Sequence, residues 1–156
     1  MTSRPSSRAK SRPKSRASSR AYSRASSRAS SRTNTPHQTR VFQRFFQFYI
    51  QLKTYHFSTR IFNRHYNTDT FLKEFAELYD RFVEACMGKH GAPVFRAFQL
   101  SIETIDDRNV FQRVQSFRNF LRQIRANEYK NDSDLLNIID EMDAEIDKYL
   151  YLLRLA

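Results

Sequence analysis

Between Gln38 and Leu155 apolar side chains recur every three or four residues, the period of an α-helix with one buried face. Val41, Phe45, Phe48, Leu52 and Tyr55 predict a first helix over residues 38–57. "FST" at 57–59 interrupts it. Ser58 or Thr59 can cap a second helix, with "NTDT" at 67–70 as an alternative start. The second helix carries Phe71, Phe75, Leu78, Phe82 and Val83, and is expected to end at Gly88 in "MGKHGAP". Residues 92–107 mix short alternation with helical spacing, and read as a connection containing a short helix. Phe111, Val114, Phe117, Leu121 and Ile124 mark a third helix. "NDSD" at 131–134 caps a fourth, whose stripe is Leu135, Ile138, Ile139, Met142, Ile146, Tyr149 and Leu153. Four amphipathic helices without a strand signal predict an all-α, four-helix bundle over residues 38–156.

Residues 1–37 follow another rule. The run "SRASSRAYSRASSRASSR" belongs to a repeat that places arginine at every fourth position from Arg4 to Arg32, each preceded by serine. Residues 1–40 hold eleven basic groups and no acid, whereas 16 basic residues balance 16 acidic ones from Val41 onward. The net charge of +11 therefore belongs to the N-terminal segment. With Tyr22 as its only aromatic, that segment cannot bury enough surface to offset the entropy of ordering, and is expected to be disordered alone. An extended chain with regularly spaced cations suits the phosphates of a nucleic acid and carries no base-reading geometry. The expected contacts are Arg4, Arg8, Lys10, Arg12, Lys14, Arg16, Arg20, Arg24, Arg28 and Arg32. The alternative is a packing arm that meets acidic protein surfaces. Phosphorylation of the serines would bring roughly −1.5 to −2 charges beside each arginine and neutralise either interaction.

Several classes are excluded or disfavoured. A lone cysteine, Cys86, forms no internal disulfide framework and reads as core filler. No apolar run approaches the roughly 20 residues of a membrane span, and the N-terminus lacks the apolar stretch of a secretory signal. No phosphate-binding glycine loop, zinc finger or nucleophile–base arrangement occurs.

Two stretches carry candidate chemistry: "YHFSTRIFNRH", with His56 and His65, and "YDRFVE", with Asp80 and Glu84. Asp and Glu four apart project from one helical face, and a tight hairpin between the first two helices would bring the histidines together. Two imidazoles and two carboxylates suit iron, zinc or manganese. Fifteen helical residues separate His65 from Asp80, about 22 Å at 1.5 Å per residue, so one chain cannot close this set. Two copies antiparallel about a two-fold axis could. On residue types alone, such histidines are more often partly buried structural residues, and such an acidic pair is usually a solvated face.

These residues resemble the Dps-type mini-ferritins: a four-helix bundle, a histidine pair around the first turn, D-x-x-x-E fifteen residues after the second histidine, a long connection between helices two and three, and a basic N-terminal tail. More narrowly, "YHFSTRIFNRH", "ELYDRFVE", "GKHG" and "LLNIIDEMDAEIDKYLYLLRL" resemble small helical proteins of phages and large DNA viruses, over about residues 50–155. The resemblance implies a hollow homo-oligomeric shell, an intersubunit ferroxidase site at His56, His65, Asp80 and Glu84, and DNA condensation by tailed members. It places the protein inside cells, in a virion or the host cytoplasm or nucleus. The two histidines stand closer than in Dps proteins, and Phe57 occupies the position of a usual tryptophan.

The leading expectation is thus a Dps-like oligomer that binds nucleic acid through its tail and holds an intersubunit metal. The alternative is a metal-free structural or virion protein. Arg118, Arg122 and Arg125 are expected to form a solvated basic stripe, with Asp140, Glu141, Asp143, Glu145 and Asp147 available to pair with it. His90 is expected in a turn.

Overall fold

The computed structural model describes residues 36–93, 95 and 97–155. The N-terminal repeat, including every expected nucleic-acid contact from Arg4 to Arg32, lies outside them. Four helices account for most of the rest: α1 (Pro36–Ser58), α2 (Phe62–His90), α3 (Val110–Asn127) and α4 (Ser133–Arg154). No strand occurs among the described residues, so the all-α, four-helix expectation holds.

Contacts fix the direction of each helix. The tight turn at residues 59–61 sends α2 back along α1. Asp107, just before α3, accepts hydrogen bonds from Tyr55 and Thr59 at the end of α1, both 2.7 Å. The connection over residues 91–109 therefore runs the length of the bundle beside α1. Phe95 packs near Phe42 and Phe46, and Gln47 donates to the Ser101 carbonyl. A short turn then returns α4 along α3 until Tyr149 meets Thr68 near the start of α2, their hydroxyls 2.7 Å apart. The order is up, down, down, up, with one long crossover. The short helix expected within 92–107 is not found among the described residues. Among the described residues of that stretch Ile105 is the one buried side chain, too few anchors to hold a helical face against the bundle.

The apolar stripes read from spacing are the core. Every residue named for α1 and α4 is buried, as are Phe71, Phe75, Leu78 and Phe82 of α2 and Val114, Phe117, Leu121 and Ile124 of α3. Val83 and Phe111 pack against the edge. Phenylalanine dominates the centre, where Phe48 of α1 and Phe117 of α3 stack at 3.7 Å and 3°. Aromatic pairs of this kind contribute beyond their buried area.

The helix ends depart from expectation. α2 starts after Ile61, which offers no side-chain cap. Thr59 donates its hydroxyl to the half-buried Asp107 carboxylate of the crossover, and its oxygen accepts from the Ile61 N–H at 3.3 Å, ahead of the helix. "NTDT" lies inside the helix. α2 also passes Gly88 and ends at His90; the chain leaves the helix at Gly91, whose φ of 89° favours glycine. His90 is therefore a last-turn residue, its Nε2 3.4 Å from Asp132 of the α3–α4 turn. Asp132 precedes α4 without a side-chain capping bond; it faces Lys89 and His90 instead.

Buried phenols make the fold alkali-sensitive. Burial, then the Asp107 hydrogen bond, pushes the Tyr55 hydroxyl from its usual value near 10 up to about 12, and burial raises Tyr79, Tyr129 and Tyr149 as well. A raised folded-state pKa means that the unfolded chain releases its proton first. This part of the stability is complete below pH 10 and is lost as pH rises towards 12. Urea midpoints measured at pH 8, 10 and 11 are expected to fall slightly by pH 10 and steeply across the last step; a flat profile would contradict this account.

Candidate functional site

The α1–α2 turn gathers the most chemistry. His56 closes α1 with its ring buried and 7 % exposed; His65 lies in the first turns of α2, exposed. Their rings stack at 3.9 Å and 28°. The bonding is reciprocal: His56 Nδ1 lies 3.1 Å from the His65 carbonyl, and His65 Nδ1 lies 2.8 Å from the His56 carbonyl. A carbonyl only accepts, so both Nδ1 atoms carry the proton, and in the neutral rings both Nε2 atoms keep a lone pair. The expected juxtaposition of the two histidines is thus present within one chain.

The carboxylates are elsewhere. Asp80 and Glu84 sit on an exposed face of α2, more than four turns beyond His65 on one continuous helix. The acid beside the histidines is Asp69, whose Oδ1 is 3.9 Å from His56 Nε2. Hydrogen bonds from Lys73 and Lys53 hold the Asp69 carboxyl down at about 2, with Nζ–O distances of 2.7 and 3.3 Å. Two ammonium groups already supply the charge a cation would bring there. Among the described residues no group of three or more His, Cys, Asp or Glu side chains is arranged to hold a metal ion. Within one chain, His56, His65, Asp80 and Glu84 do not fit a metal.

Asp107 is the second polar node at this end. Burial would raise its carboxyl, but hydrogen bonds from Tyr55 and Thr59 and the Arg64 charge outweigh that and leave it below the usual range. Arg64 also donates to the Asp107 carbonyl at 2.6 Å. The node ties hairpin, crossover and α2 together. Neither Asp69 nor Asp107 was singled out by sequence. Asp69 is four residues after His65, a same-face spacing that could have flagged it; nothing local marks Asp107, whose partners lie about fifty positions away.

The remaining charge is mostly spent. Arg118 pairs with Asp143 and Asp147, Arg122 with Asp143, and Arg125 with Asp140, so the basic stripe of α3 is an ion-pair ladder against α4. Arg81 meets Glu141, and Lys148 bridges Glu74 and Glu145. Cys86 is buried, 3.8 Å from the Tyr129 hydroxyl, and burial pushes its thiol up to about 11, as core filler requires. No helix of the described residues is long and apolar enough to cross a membrane.

The model of a family of unknown function, DUF5856, matches residues 56–153, and the chain belongs to that family. The match begins at His56 and takes in the hairpin, α2, the crossover and nearly all of α3 and α4. No curated protein and no solved structure matches the chain.

Proposed function

For this member of the DUF5856 family, we propose non-specific nucleic-acid binding through the basic N-terminal segment, with the helix bundle as its carrier. The observation that supports this reading is the fate of charge. In the folded body, Arg64, Arg81, Arg113, Arg118, Arg122 and Arg125 are each ion-paired with a carboxylate of the same chain. The ten arginines and lysines from Arg4 to Arg32 have no acid within their own segment. Unneutralised cations at regular spacing fit a polyphosphate, whereas paired ones contribute little to such binding. A homo-oligomeric bundle would present several tails to one strand and multiply weak contacts through effective concentration. The single long crossover agrees with the ferritin-like reading behind that oligomer.

Salt titration tests it. With about eight phosphate contacts on duplex DNA, log K should fall against log salt with a slope near −7. A slope close to zero, or retention on a capsid protein but not on DNA, would move the segment to the structural alternative, a virion packing arm.

An intersubunit metal centre is the second reading. The histidine pair supports it, because both Nε2 lone pairs remain free once the Nδ1 atoms are bonded to carbonyls. Asp80 and Glu84 of a second copy would complete the set; iron, bound there, would supply ferrous oxidation, with zinc or manganese as alternatives. Equilibrium dialysis against zinc or ferrous iron should show binding by the wild type and none by Asp80→Ala. Equal stoichiometry in both would end this reading.

A further inference from the structure

The tip of the α1–α2 hairpin exposes apolar side chains that the bundle does not use. Phe57 is 73 % exposed, Phe62 77 % and Tyr66 62 %. Phe62 and Tyr66 lie one turn apart on α2 with near-parallel rings, 6.3 Å between centroids and 21° between planes. Large aromatics cost solubility when left in water, and a cluster of them marks an interaction surface. Exposure alone does not name the partner; the surrounding charge does.

Asp69 is the first acidic residue of the whole chain. The acid-free stretch therefore runs from the N-terminus through all of α1, around the hairpin and into α2. Asp69 and Asp107, the carboxylates nearest the tip, are already engaged by Lys53 and Lys73 and by Tyr55, Thr59 and Arg64. Lys53 lies 5.2 Å from the Phe57 ring centroid. Arg60, at the apex, is exposed and makes no ion pair within the described residues. Aromatic faces interleaved with surplus cations are the composition of a single-strand platform, where bases stack and phosphates are neutralised. Arg60 meets no carboxylate among the described residues, so the charge at the tip favours a polyanion as the occupant.

We propose that the hairpin tip is a base-stacking contact for single-stranded nucleic acid, with Phe62 and Tyr66 as the platform, Phe57 at its edge and Arg60 on the phosphate. The inference deepens the tail reading: the repeat would gather phosphates, and the tip would recognise that they carry bases. A second copy seated on this surface would cover the same rings, so the intersubunit metal reading and the platform compete for one place.

The experiment uses the full-length chain and two fluorescent probes with equal phosphate number: an oligodeoxyadenylate and an abasic single strand. Binding is read by anisotropy. The wild type should bind the oligodeoxyadenylate about tenfold or more tightly than the abasic strand, the effect of stacking one or two bases. Phe62→Ser/Tyr66→Ser should lose that preference while keeping its affinity for the abasic strand and its helical spectrum. Phe57→Ser, in a separate helix, provides an independent variant and should weaken the preference partially. Equal wild-type affinity for both probes overturns the platform and leaves the tail reading standing. No binding of either probe sinks both. A preference that survives the double substitution overturns the platform, as does a double variant whose oligomer mass falls, since the rings would then be a contact between copies.

Discussion

Phe45→Ala is expected to cost about 3–5 kcal/mol of stability, the range for a fully buried aromatic cut to a methyl. Phe45 has no exposed surface and sits among the rings of Phe75, Tyr79, Phe82, Phe117 and Phe120, with centroids at 5.2 to 6.2 Å. It joins α1 to α2 on one side and to α3 on the other. Neighbours on two other helices cannot all move inward, so most of the cavity would stay open. Since small domains rest on roughly 5–15 kcal/mol, this substitution alone should bring the bundle close to unfolding at body temperature. Urea denaturation followed by far-UV circular dichroism reads the effect, with Phe62→Ala as comparison. That ring is mostly in water and should change stability by no more than about 0.5 kcal/mol. A loss below about 1 kcal/mol for Phe45→Ala would mean that the core relaxes far more than its helix geometry allows.

Deleting residues 1–35 is expected to lower duplex affinity by about three orders of magnitude at low salt, the scale on which six to ten phosphate contacts act. The deletion removes ten basic groups and leaves 17 basic against 16 acidic residues. The bundle should persist, because α1 begins at Pro36 and its buried face starts at Val41. Gel retardation and the helical spectrum together decide the matter. Lost retardation with an unchanged spectrum supports the tail; retained retardation would place the phosphate contacts on the body, with Arg60 and the acid-free face of α1 as the first residues to substitute.

Much of the bundle was legible because burial imposes a period. Phe45, Phe48, Leu52 and Tyr55 had to share a face if α1 was a helix, and all four are buried. Helix ends were less legible. Ser58 and Thr59 have the right chemistry to cap α2, yet the helix begins only after Ile61. The Thr59 oxygen meets the Ile61 N–H, ahead of the helix, while its proton goes to Asp107, almost fifty residues away in sequence. Gly88 and Gly91 both fit the C-terminal signal; the helix ends at the second because hydrogen bonding continues through His90 until Gly91 takes positive φ.

The candidate site divides along the same line. The tight turn made the approach of His56 and His65 readable, since short connections force neighbours together. Their tautomers were not readable, because these depend on which carbonyl each ring meets. The acidic pair at Asp80 and Glu84 was correctly placed on one face of α2 and too far from His65 to join it within a chain. That the histidines would face Asp69, and that Lys53 from α1 would share it with Lys73, needed the packed helices.

By itself, then, the sequence determined what depends on neighbours along the chain: four amphipathic helices, a charge-balanced body, and an acid-free N-terminal repeat suited to phosphates. Tertiary structure alone decided which carboxylate each cation meets, which hydroxyls the crossover's Asp107 receives, and which aromatics stay in water. The reason is range. Helical periodicity repeats within a few residues, whereas a hydrogen bond or an ion pair acts over a few ångströms of space regardless of the separation in sequence. Phe45 and Phe62 are the same side chain in the same helical period, and only the packing of α1 against α2 and α3 makes one the centre of the core and leaves the other free for a partner.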